Sequence, residues 1–176
     1  MADAYPDHEF AEDILFSAYS LGQQLGENSI AEQLGKRYLD NGTYTSYRDT
    51  VADQVSDIYL EGEKLDELYQ LSTWYLDRAA DDSGARLLLF KHAVARLTKF
   101  QNSELIRDFQ IYRKKYETTE CSVVIHYFLG LAYLIEQENA AAVEFFDKVI
   151  VDPNLKFRAD ASFRKAQAVL GLDRIE

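Results

Sequence analysis

Pairs of apolar stripes at helical spacing, each pair joined by a short polar turn, recur along this chain from end to end. Nearly every segment carries that period rather than the alternation of a strand. From Ala11 to Leu25, the residues Ile14, Leu15, Ala18, Leu21, Gly22 and Leu25 fall on one helix face, and Ile30, Ala31, Leu34, Tyr38 and Leu39 form the next set. Gly26-Glu27-Asn28 between them is short enough to make the two helices antiparallel neighbours. Asn41-Gly42 then offers a glycine for a left-handed cap. The pattern is a helical hairpin.

The hairpin repeats. Val51, Val55, Ile58 and Tyr59 precede Gly62-Glu63-Lys64, and Leu65, Leu68, Leu71, Trp74, Tyr75 and Leu76 follow it. A third unit runs from Ala85 through Leu88, Leu89, Ala93 and Leu97 to a polar turn at Gln101-Asn102-Ser103, then through Leu105, Ile106, Phe109 and Tyr112. The fourth has Val124, Leu129, Ala132 and Tyr133, a turn at Gln137-Glu138-Asn139, and Ala142, Phe145, Phe146, Val149 and Ile150. Gly26-Glu27 and Gly62-Glu63 stand 36 residues apart, and paired helices at a period of about 34–40 residues indicate a solenoid.

The chain's 176 residues suffice for one continuous core, and 2 Pro and 8 Gly are too few turn-formers for a sandwich of many short strands. The prediction is therefore an all-α fold, an α–α superhelix in a single domain spanning 1–176. It has about four helical hairpins (roughly 10–43, 46–80, 84–117 and 121–153) and a final helix over 157–171.

The fourth unit carries a family resemblance. His126-x2-Leu129-Gly130-x2-Tyr133, followed by Ala142-x3-Phe146 and Pro153, resembles the tetratricopeptide repeat. The spacings agree from His126 to Phe146, and Pro153 comes one residue early. Small Gly130 and Ala142 suit the close approach of two helices, large Tyr133 and Phe146 suit the meeting of neighbouring hairpins, and Pro153 closes the unit. Elsewhere the likeness lies in period and turn. Unit one offers Leu15, Ala18, Gly22, Gly26 and Ala31 with Tyr38 in the large closing slot. Unit two places Glu67 at the small slot and Trp74 at the closing one, and unit three diverges most. Tyr5-Pro6 before Phe10-Ala11-Glu12-Asp13-Ile14 is similar to the inter-repeat linker of bacterial envelope repeat proteins.

The formal charge of −11 disfavours nucleic acid and anionic membrane surfaces as partners. It is unevenly spread. Residues 1–82 hold 5 Lys/Arg against 18 Asp/Glu, a net of −13; residues 83–116 hold 8 against 2, a net of +6; and residues 117–176 hold 6 against 10, a net of −4. No stretch reaches 18 uninterrupted apolar residues, so direct membrane insertion is not expected. As given, the chain reads as cytoplasmic, and as periplasmic if it is cut from an exported protein.

No constellation of catalytic residues emerges. His8, His92 and His126 lie in different units, without Cys or carboxylate partners at metal spacing on both sides. His8 and Glu12, with Asp7, Glu9 and Asp13 nearby, could hold a surface metal, although a solvated acidic terminus explains them more simply. His126 sits in a slot the repeats usually fill with Trp, so packing is its default role. Cys121 stands at a helix start, where a thiolate would be stabilised, yet a lone Cys before an apolar run is more often structural. The expectation is no enzyme, no cofactor and no metal.

A binding role fits better, and its sites follow from the resemblance. Inner helices of such repeats line a groove, which in unit four would present Val124, Tyr127, Leu131, Leu134 and Ile135 to a hydrophobic peptide or helix, unless the fifth helix covers them. Lys91, Arg96 and Lys99, with Arg107 and Arg113–Lys115, would receive an acidic partner, or merely form a solvated face. The inner helices contain no Asn, which argues against the carboxylate clamp of the chaperone-binding members. The expected function is a scaffold or adaptor for a peptide or partner protein; the alternative is a regulatory sensor whose groove binds a short peptide or small ligand and changes the curvature of the array. The last helix leaves Phe163, Ala166, Val169 and Leu170 needing cover, from a polar-faced cap, from further chain or from a homodimer. In a homodimer, apolar burial at about 1.5–3 kcal/mol per large side chain would outweigh surface ion pairs at about 0–1.

Overall fold

A computed structural model describes residues 8, 10–79, 82–117, 120–153 and 155–172 of the chain. The fold is all-α: nine α-helices and one 3-10 turn, with no strand among the described residues. The first hairpin is α1 (Ala11–Gln24) and α2 (Asn28–Asp40), and the second is α3 (Arg48–Glu61) and α4 (Leu65–Arg78). α5 (Asp82–Thr98) pairs with α6 (Asn102–Lys115), and α7 (Cys121–Ile135) with α8 (Asn139–Val151). A 3-10 turn (Leu155–Phe157) leads into α9 (Arg158–Leu172). The chain divides into two compact units, Met1–Tyr75 and Leu76–Glu176, the division falling in the last turn of α4. Within each, consecutive helices pack on one another, as an α–α solenoid requires.

Every hairpin turns on one device. Gly26, Glu63, Phe100 and Gln137 hold positive φ values of 71°, 54°, 57° and 62°, each 37 residues after the last. The residue after each donates its N–H back across the helix end: Glu27 to Gly22, Lys64 to Tyr59, Gln101 to Arg96 and Glu138 to Tyr133, at 2.8–2.9 Å. These are Schellman caps, in which a left-handed residue lets the backbone close on carbonyls the helix leaves unpaired. The register is thus 37 residues and not the 36 that Gly-Glu identity suggests, because the left-handed residue of the second turn is Glu63 rather than Gly62. The third turn likewise centres on Phe100, with Asn102 and Ser103 already inside α6.

Shifting the alignment by one residue changes which side chains correspond. Gly130 and Phe146 face each other within the fourth hairpin, a Cβ built at Gly130 lying 2.7 Å from the Phe146 ring. Phe146 therefore fills its own hairpin, where the repeat pattern had it meeting a neighbour. The same two positions hold Tyr19 and Gly35 in the first hairpin, with the sizes exchanged: a Cβ at Gly35 would lie 3.0 Å from the Tyr19 ring and 2.4 Å from Val55. The third hairpin has Ala93 and Phe109, all buried. The second has Ser56 and Ser72, which bond their own helix through Asp53 O at 2.5 Å and Tyr69 O at 3.0 Å. Glu67 and Trp74 therefore do not occupy the small and closing slots; Leu68 and Ser72 do.

The buried stripe of α1 is Ala11, Leu15, Tyr19 and Gly22, so Ile14, Leu21 and Leu25 stay exposed. It is the stripe that brings Tyr19 to Gly35 and Gly22 to Ala31. A second repeated device anchors α2 and α4. The Tyr38 hydroxyl donates to Glu12, and one register later Tyr75 donates to Asp49 at 2.7 Å. Burial pushes the Glu12 carboxyl up, but bonds from Tyr38 and Ser46 outweigh it and hold it below its ordinary value. α8 ends at Val151 with Asp152 extended at ψ 136°, the conformation that a following proline imposes, and that is the role expected of Pro153. The linker over residues 5–7 and Glu9 lies outside the described residues.

Gly130→Ala should lower stability by about 1–3 kcal/mol in denaturant titration, since the ring it meets has no room to retreat and the helix-propensity gain is about 1. Phe100→Gly should act the other way. Phe100 is 86% exposed, so little packing is lost, and relief of the left-handed strain should leave a net gain of about 0.5–1 kcal/mol.

Candidate functional site

The expected groove face of the fourth hairpin is partly occupied by the chain itself. Val124 is buried. The Tyr127 ring stacks on Phe157 at 4.5 Å, and its hydroxyl donates to Asp160 of α9 at 2.6 Å. Leu131 and Leu134 are half-buried, and Ile135 is exposed. On its other side α9 leaves Phe163, Val169 and Leu170 exposed while burying Ala161 and Ala168.

The expected cationic face also reads differently in three dimensions. Lys91 and Arg96 are each only 7% exposed, and Lys99 is half-buried. Arg96 donates to Asp108 Oδ2 from Nε at 3.1 Å and Nη2 at 2.9 Å, and from Nη1 to Gln101 at 2.8 Å. His92 Nε2 lies 3.2 Å from the same Asp108 oxygen. A carboxylate only accepts, so that ring nitrogen carries the proton. Burial holds His92 below its ordinary 6.5, and the His92 and Arg96 contacts hold Asp108 below its own ordinary value despite burial. Arg96 is thus part of an internal network and does not present its charge to a partner.

The register explains this network. Positions 92, 96 and 108 correspond to Leu129, Tyr133 and Phe145 in the fourth hairpin and to Val55, Tyr59 and Leu71 in the second. Three positions that are apolar or aromatic in those two hairpins are polar together in this one. Cys121 is fully buried at the start of α7, which removes it from solvent-borne reactivity. His8 is exposed, and Glu12 is already engaged by Tyr38 and Ser46. Asp7 and Glu9 lie outside the described residues, among which no group of three His, Cys, Asp or Glu could hold a metal ion.

A cleft that pattern reading missed lies in the first unit. Lys36, Leu39 and Asp40 of α2, Val55 and Tyr59 of α3, and Glu67, Gln70, Leu71 and Trp74 of α4 enclose about 250 Å³. Its floor is apolar and aromatic and its rim polar. Tyr59 feels burial first and then the carboxylates of Glu32 and Glu67, and its phenol is pushed up to about 12. Lys36 stands 5.7 Å from the Tyr59 centroid and 3.7 Å from Glu32, which also takes Lys64 at 2.5 Å.

No protein-family model matches the chain, and neither does any curated protein. Reading of function therefore rests on the geometry of these elements. No described helix is long and apolar enough to cross a membrane.

Two outcomes test the polar network. Asp108→Leu alone should destabilise the chain by about 3 kcal/mol or more, because the buried Arg96 and His92 lose the carboxylate they share. The triple variant His92→Leu, Arg96→Tyr, Asp108→Leu, which imports residues of the other hairpins, should recover most of that loss in the same denaturant titration. The second outcome is a pH dependence. His92 and His126 both have folded values below 6.5, burial being the main cause. The unfolded chain therefore binds protons first as pH falls, so their contribution is complete above about 6.5 and is lost below it. Tm should drop between about pH 7.5 and 5, and the His92→Leu, His126→Leu variant should flatten that slope whatever its absolute Tm.

Proposed function

We propose that this chain is an interaction scaffold of the tetratricopeptide type, binding a peptide or partner protein through its helical repeats. The observation that carries the reading is the cleft between consecutive hairpins in a chain whose turns recur at one fixed register. Repeats of this kind stack on nearest neighbours only, so the side chains that do not hold the stack are free to vary into a recognition surface. The size of the cleft supports a partner's side chain over a metabolite. Sites that enclose a small molecule hold roughly 300–1,000 Å³, and this one holds about 250 Å³.

A random peptide library panned against the immobilised full chain tests the proposal. Enrichment of a consensus whose synthetic peptide binds saturably, and is displaced by its own excess, is the expected result. Recovery of no consensus in repeated pannings would end it.

A further inference from the structure

The first helix repeats a surface that α3 and α7 bury. Ile14, Ala18 and Leu21 of α1 correspond to Val51, Val55 and Ile58 of α3 one register on, and to Ile125, Leu129 and Ala132 of α7 three registers on. Those six later side chains are buried. α3 and α7 each pack on the helix before them, and a Cβ built at Gly35 of α2 would lie 2.4 Å from Val55. α1 carries the same stripe, prolonged by its cap residue Leu25, and no described helix lies on it. Leu21 is 55% exposed, and Ile14, Ala18 and Leu25 are exposed with it. The stripe is a seat for a helix.

A helix with a matching face is present in the same chain. α9 buries Ala161 and Ala168, and on another face it leaves Ala159, Phe163, Ala166 and Leu170 exposed. Their spacing of 4, 3 and 4 residues is that of Ile14, Ala18, Leu21 and Leu25. Two helical stripes of equal spacing can interdigitate along their whole length. Arg164 lies 5.8 Å from the Phe163 centroid, yet Phe163 remains 59% exposed. Neither stripe contains a charged residue, and burying each large side chain is worth about 1.5–3 kcal/mol.

Charge selects among the possible pairings. α1 carries Glu12 and Asp13 and no cation, a net of −2, whereas α9 carries Arg158, Arg164 and Lys165 against Asp160, a net of +2. Two copies of α1, or two of α9, would bring like charges together, and α1 with α9 brings opposite ones. We infer that α9 of one copy of this chain docks on the α1 stripe of a second copy, setting Phe163 and Leu170 against Ile14, Leu21 and Leu25. The docked helix takes on α1 the place that α2 takes on α3. Each copy offers one seat and one docking face, so a pair closes on itself or the series continues to further copies. The contact does not involve the cleft, so it stands or falls apart from the scaffold reading.

Sedimentation of the full chain should show an average mass that rises with concentration. Leu21→Glu and Phe163→Glu, each of which places a charge in the apolar contact, should each weaken association at least about tenfold. Both side chains are exposed in the single chain, so circular dichroism should show unchanged helical content. The decisive sample is an equimolar mixture of the two variants, which retains one sound α9 and one sound α1. It should associate at least about tenfold more tightly than either variant alone, and as a one-to-one pair.

A wild-type chain that stays monomeric would overturn the inference. Wild-type association by Phe163→Glu would do the same, because α1 would then pair with itself, and by Leu21→Glu because α9 would. A mixture no more associated than its components would also end it.

Discussion

The left-handed residue at each turn is the constraint on which the rest of this structure depends. A helix ends with unpaired carbonyls, and a chain that must reverse within three residues needs them satisfied from the next residues along. One positive-φ residue does this, and by fixing where α1 stops and α2 starts it also fixes which side chains meet. The cost is small at Gly26 but of the order of 1–2 kcal/mol at each of Glu63, Phe100 and Gln137. Three non-glycine residues are held there because the caps and the packing beyond them more than offset the strain. The identity of the residue is free; its conformation is not.

That freedom explains how much of the fold was legible in the sequence. Helix positions, hairpin pairing and the approximate period could be read because apolar spacing and polar turns are properties of single helices. Register was off by one because Gly62-Glu63 looks like Gly26-Glu27, yet the left-handed residue in the second turn is the glutamate. Facing pairs were hidden for a related reason. Packing constrains the sum of two facing volumes, so Tyr19 with Gly35 satisfies the same space as Gly130 with Phe146. A search by residue type along the chain finds small where it expects small, and passes over the exchanged pair.

The candidate site was less legible. Surface charge can be counted from sequence, but whether a cation is offered to a partner depends on what faces it. Arg96 falls on an inner helix with a basic count around it, and the structure sets it against Asp108 at a position where the other hairpins supply leucine and phenylalanine. Tyr127 falls on the expected groove, where Phe157 and Asp160 of the following segment meet it. The signal that could have exposed the network was available once the register was known. Polar residues at 92, 96 and 108 replace apolar ones at three facing positions of one hairpin, and a concerted exchange of that kind implies mutual contact.

The cleft follows from the same logic carried one step further. In a repeat array each hairpin inherits one frame, and volume removed at a facing position is not recovered unless a neighbour grows into it. Where Phe145 fills the second unit, Leu71 leaves room in the first. Apolar space of that sort, open to water, is unfavourable unless something occupies it or its rim is polar enough to be solvated. Asp40, Glu67 and Gln70 supply that polar rim. The second unit shows how this geometry is completed when the chain provides the parts, with cations resting on an aromatic ring and a carboxylate holding one of them. In the first unit Lys36 lies over the Tyr59 ring and is held by Glu32, a carboxylate outside the cleft lining.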